Sequence, residues 1–76
     1  MDRATLEALL ANANRFVEEA YDAVLRQRTI LDRLIQSGSP SIELARSILL
    51  RSEDAVAMLV SQRDTIAGDV ESLPKS

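Results

Sequence analysis

The sequence predicts an all-α protein: an antiparallel two-helix hairpin that dimerises into an antiparallel four-helix bundle. Three observations lead there. Apolar residues recur every three or four positions along almost the whole chain. Ser, Gly and Pro come together at one place only, "QSGSPS" at 36–41. The apolar stripe of the first half is wider than a single neighbouring helix would cover.

The first helix is expected over about residues 2–36. Neither Gly nor Pro occurs between Asp2 and Ser37, and Leu6, Leu10, Ala13, Val17, Ala20, Val24, Leu31 and Leu34 keep the helical spacing. Asp2 suits an N-cap, and Gly38 stands where a left-handed residue would end the helix. Such a rod is about 50 Å long at 1.5 Å per residue.

The bend is expected at 37–40. Pro40 disfavours helical geometry at Ser39 and itself suits a first helical position, which makes Ser39 the best N-cap and Ser41 the alternative. The second helix then runs over about 40–72, with Ile42, Ala45, Leu49, Ser52, Val56, Leu59, Arg63, Ile66, Val70 and Leu73 along one stripe. Leu73-Pro74 ends it, leaving a tail at 73–76, and Gly68 weakens its last turns. A link this short between long helices makes them antiparallel neighbours, so residues 1–76 form a single hairpin domain.

A chain of 76 residues buries a small fraction of its surface and needs further support. The chain has no cysteine and no histidine, so disulfides and thiolate or imidazole metal sites are excluded, as is the usual general base near neutral pH. A second subunit is the support that remains. Aromatics supply only 3% of the residues, leaving Ala, Leu, Ile and Val to make a close-packed core.

The width of the stripe says where that subunit would sit. Leu10, Val17, Val24 and Leu31 take one seam position of a heptad, and Leu6, Ala13, Ala20, Gln27 and Leu34 the other. Beside them Leu9, Phe16, Ala23 and Ile30 are apolar at every repeat, and Ile48 and Ala55 echo this on the second helix. The expected core and dimer interface is therefore Leu9, Leu10, Phe16, Val17, Val24, Ile30, Leu31, Ile48, Leu49, Val56, Leu59 and Ile66, with Ala13, Ala20, Ala45 and Ala55 letting the axes approach. Leu25, Leu44, Leu50 and Met58 lie off the stripe, as dimer flank, ordinary surface or a docking site.

Polar residues interrupt the seam at Gln27, Ser52 and Arg63. A pivot near Gly38 sets Gln27 almost level with Ser52, where the pair would form a hydrogen-bonded layer fixing register; a polar ligand site inside the bundle is the alternative. Arg63 comes opposite Asn14 and would snorkel past the seam. Glu18, Glu19 and Asp22 are carboxylates one turn apart, but carboxylate-bridged metal bundles also use histidine, so a solvated face and no metal are expected.

Charge is distributed along the rod. Residues 26–52 carry Arg26, Arg28, Arg33, Arg46 and Arg51 against Asp32 and Glu43, a net +3, while residues 1–25 and 53–76 each carry a net -3. Two such rods attract with the bend of one beside the termini of the other. The same five arginines are the candidate contacts for an acidic partner. Without interleaved aromatics or a helix-turn-helix spacing, nucleic acid ranks last among partners.

The runs "RQRTILDRLIQSG" at 26–38 and "ILLRSEDAVAMLVSQRDTI" at 48–66 resemble a group of short bacterial helical-hairpin proteins common in alphaproteobacteria. The resemblance rests on Arg26, Gln27, Arg28, Ile30, Leu31, Leu34 and Gly38, then Ile48, Leu49, Glu53, Arg63 and Asp64. It implies a helical hairpin and no assigned activity. Relatives of that kind often carry histidines where this chain has Ser39 and Leu59.

With no Cys, no His, no Gly-rich phosphate loop and no serine in a nucleophile setting, catalysis and a cofactor are not expected. A structural or protein-interaction module is the leading reading, with itself as first partner and an unidentified protein as second. The rival is a small regulator, such as an antitoxin, a phage-encoded inhibitor or a kinase-associated adaptor, that occludes a larger partner. The N-terminus lacks the zones of a signal peptide and the longest apolar run, "AVAMLV" at 55–60, is too short to cross a bilayer, so the expected location is cytoplasmic.

Overall fold

A computed structural model describes residues 2–74. It contains two helices, α1 (Arg3–Ser37) and α2 (Ile42–Glu71), folded back on each other as an antiparallel hairpin. The expected positions 75 and 76 of the tail lie outside the described residues.

The caps follow from the local sequence. The Asp2 carboxylate accepts the Thr5 backbone N–H at 2.7 Å and satisfies a donor that helix geometry leaves open. At the other end Gly38 takes φ 66° and ψ 32°. Its own N–H donates to the Ile35 carbonyl and that of Ser39 to the Leu34 carbonyl, which closes the last turn.

The bend differs from expectation by two residues. α2 begins at Ile42, after an N-cap at Ser41, rather than at about residue 40, so the bend spans 38–41. The reason is a division of labour between two serines. The Ser39 hydroxyl accepts the Ser41 N–H at 3.1 Å, the capping bond expected of Ser39, while the first helical hydrogen bond is accepted further on by the Ser41 carbonyl, from Ala45. At the far end the Ser72 hydroxyl donates to the Gly68 carbonyl at 2.8 Å, and the helix stops before Leu73 and Pro74.

The expected seam is the seam. Val17, Val24, Ala45 and Val56 are buried, and the other stripe positions, including Leu10, Leu31, Leu49, Leu59 and Ile66, are half-buried. Among the described residues no large side chain is fully buried. The molecule measures 60 × 14 × 13 Å with a radius of gyration of 17.3 Å, against about 11 Å for a compact domain of this length. Its accessible surface is 5595 Å², where a compact monomer of this mass would expose about 4,600 Å². The hairpin is one layer of helices without a second layer on top.

Candidate functional site: two unlike flanks of the hairpin

A two-helix rod has a seam and two flanks, and the flanks differ in chemistry. On one, Leu9, Asn12, Ala13 and Phe16 of α1 line a groove of about 210 Å³ with Leu59, Gln62 and Ile66 of α2. Positions seven residues apart return to the same side of a helix. Phe16 therefore shares its side with Leu9, Ala23 and Ile30, and Gln62 with Ile48 and Ala55. Leu44 and Met58 sit one turn outward from Ile48 and Gln62. Leu9, Phe16, Ile30, Leu44, Ile48 and Met58 are all exposed. Down to Gln62 this Phe16 flank has a continuous apolar centre.

The opposite flank is built around Tyr21. There Tyr21, Val24, Leu25 and Arg28 meet Glu53 and Val56 across a recess of about 260 Å³. Arg28 donates to Glu53 at 3.5 Å, an ion pair that spans the two helices. Glu7 and Asn14 precede Tyr21 on the same side, and Arg46 precedes Glu53. Covering this flank would strip water from charged groups that the pair satisfies only in part, which is costly. As both partners of the pair are exposed, it contributes at most about 1 kcal/mol where it stands.

The five arginines named from the sequence are all exposed, but they do not act as a set. Arg28 is held by Glu53, and Arg46 by Glu43 at 3.7 Å. Arg26, Arg33 and Arg51 make no ion pair among the described residues. Arg26 and Arg33 edge an open recess on the outer side of α1 with Leu25, Thr29 and Ile30. The basic third of the rod thus keeps free cations at the rim of the Phe16 flank, with Arg26 and Arg33 one turn either side of Ile30 and Arg51 in line with Leu44 and Met58.

Gln27 and Ser52 are both half-buried on the seam, but the hydrogen bond expected between them is not made. The Ser52 hydroxyl donates instead to the Ile48 carbonyl at 3.0 Å, one turn back on its own helix. A serine hydroxyl on a helix finds its i−4 carbonyl at bonding distance and has no need to reach across. Arg63 leaves the seam: its guanidinium turns outward to Asp64 at 3.1 Å, as a snorkelling side chain does. At the open end Arg3 donates to the Leu73 and Pro74 carbonyls at 3.4 and 3.3 Å and pairs with Glu7 at 3.6 Å, tying the two helix ends together.

Among the described residues no three carboxylates converge on a point where a metal ion would sit, and Glu18, Glu19 and Asp22 are all exposed. Hydrogen bonds from Thr5 hold the Asp2 carboxyl below the ordinary aspartate value. No helix is long and apolar enough to cross a membrane among the described residues. The interhelical Arg28–Glu53 pair and the Tyr21 recess were not foreseen from the sequence. The signal available was a charge of opposite sign beside the seam on each helix.

No family model matches the chain, and searches of curated proteins and of solved structures found no match either. The chain is a helical hairpin with two unlike flanks, one apolar along its centre and the other crossed by an ion pair.

Proposed function

We propose that the protein is a non-enzymatic self-assembly and interaction module, whose working unit is two hairpins packed through their Phe16 flanks into an antiparallel four-helix bundle. The observation that carries this reading is the exposed apolar row Leu9, Phe16, Ile30 and Ile48 on a rod with no second layer. The sizes fit. One face of a 60 × 14 Å rod projects about 800 Å², which is about what each partner contributes to a standard stable interface. The excess of exposed surface over a compact monomer is of the same order. Choosing the Phe16 flank covers apolar side chains and leaves Arg28 and Glu53 in water.

Molar mass by light scattering, across a concentration series at low and high salt, tests the proposal. A mass of two chains at low salt, loosening as salt rises, is expected, because opposite poles on neighbouring rods attract through solvent that salt screens. A single-chain mass at all concentrations would refute it.

A second reading, a small regulator that docks on a larger protein, draws on the other flank. Tyr21, Leu25, Ile35 and Leu50 are exposed and lie away from the Phe16 row, so the proposed dimer leaves them free. The two readings are compatible: the Phe16 flank joins the copies and the Tyr21 flank meets the partner.

A further inference from the structure

Two hairpins joined by one flank can be related by a two-fold axis in only two ways. An axis parallel to the rods sets both bends at the same end and puts α1 of one copy on α2 of the other. An axis across the rods sets the bends at opposite ends and puts α1 on α1 and α2 on α2. The charges choose between them. The bend third carries Arg26, Arg28, Arg33, Arg46 and Arg51 at a net +3, and the two stretches that make up the rest of the rod carry -3 each. With bends together, the free guanidinium groups of Arg26, Arg33 and Arg51 crowd their counterparts. With bends apart, they lie beside the acidic end of the other rod.

Register follows from the sizes of the side chains. Along the Phe16 flank of α1 the row reads Leu9, Phe16, Ala23, Ile30. Laying two such rows antiparallel with the helices overlapping end to end brings Phe16 to Ala23 and Leu9 to Ile30, each contact made twice. A ring then fills the gap that the alanine leaves. Sliding by one heptad, about 10 Å along the axis, either stacks Phe16 on itself or sets it against Ile30 with Ala23 on Ala23. Both slides pair large with large or leave a hole, and both uncover the end of the row, which close packing disfavours.

On the reading proposed above, we infer that the second copy docks α1 on α1 in antiparallel register, with Phe16 of each copy seated over Ala23 of the other. The Phe16 flank is thus an interface specific for a second copy of this chain, closed by symmetry and leaving the Tyr21 flank outside.

The test exploits the absence of cysteine, which makes a single introduced thiol a unique labelling site. Gln36 and Ala8 are exposed and lie on the outer side of α1, away from both flanks. Each is replaced in turn, Gln36→Cys and Ala8→Cys, labelled with a nitroxide, and the distance between the two copies is measured by pulsed electron resonance. The inferred register places the Gln36 labels about 50 Å apart and the Ala8 labels about 35 Å apart along the axis. A slide of one heptad shifts the two distances in opposite directions by about 10 Å each, and either shift overturns the Phe16–Ala23 pairing. Gln36 labels within about 25 Å of each other would mean bends together and overturn the orientation, since neighbouring helix axes lie about 8–10 Å apart. If light scattering gives a dimer while these distances disagree, the register fails and the dimer stands. A single-chain mass with no dipolar coupling means that the underlying reading has failed.

Discussion

Two aromatic side chains on one helix, nearly equal in exposure and on opposite flanks, give the function its sharpest test. Phe16 is 49% exposed and Tyr21 52% exposed in the isolated hairpin. An aromatic side chain presents about 150–250 Å² in all, so each has about 100 Å² that a partner would cover. At about 25 cal/mol per Å² that is roughly 2.5 kcal/mol for each copy, and about 5 kcal/mol for a symmetric dimer that uses the residue twice. Phe16→Ala should therefore raise the dimer Kd by about 10³- to 10⁴-fold, each factor of ten corresponding to about 1.4 kcal/mol. Tyr21→Ala removes the same area from the charged flank and should move the Kd by less than about tenfold. Analytical ultracentrifugation over a concentration series reads both constants, and circular dichroism checks that each variant remains helical. Equal effects of the two substitutions, or a larger one at Tyr21, would refute the assignment of the interface to the Phe16 flank.

Three further outcomes are expected. The two glycines should respond to alanine with opposite signs, although an added Cβ meets nothing within 4 Å at either. Gly38→Ala forces a side chain into the left-handed region and should destabilise by about 1–2 kcal/mol, whereas Gly68→Ala sits in ordinary helix and should stabilise by up to about 1 kcal/mol. In a domain of this size each kcal/mol moves Tm by about 4–8 °C, read in thermal melts at one protein concentration. At acid pH, the Asp2 cap contributes fully above its ordinary value of 3.8 and is lost as pH falls through its lower folded value. Melts of wild type and Asp2→Asn, which caps without ionising, should therefore diverge above pH 4 less than melts of wild type and Asp2→Ala do, and the latter gap should shrink below it. Reversing the free charges with Arg26→Glu and Arg33→Glu together should weaken the dimer and flatten its salt dependence, measured by the same sedimentation series.

Much of the fold was legible in the chain because helices announce themselves locally. The spacing of Leu6 through Leu34 and of Ile42 through Leu73 identifies the seam, and the residues found buried, Val17, Val24, Ala45 and Val56, all belong to it. Gly38 could end α1 and Asp2 begin it for reasons contained within four or five neighbours. The same locality made the start of α2 ambiguous. Ser39 and Ser41 are both competent caps, and only the fold shows one giving its hydroxyl and the other its carbonyl.

The candidate site was less legible, because it depends on which residues meet across the seam. Composition and periodicity determined a hairpin, its apolar stripe, its charged poles and its lack of thiol and imidazole groups, since those depend on residue type and on spacing along one helix. The tertiary structure decided that Arg28 would meet Glu53 while Ser52 turned back to Ile48, and hence that the Tyr21 flank is crossed by an ion pair. The physical reason is reach. A side chain bonds whatever lies within about 3 Å of its polar atom, and the rotation of one helix against the other, invisible in either helix alone, sets what that is.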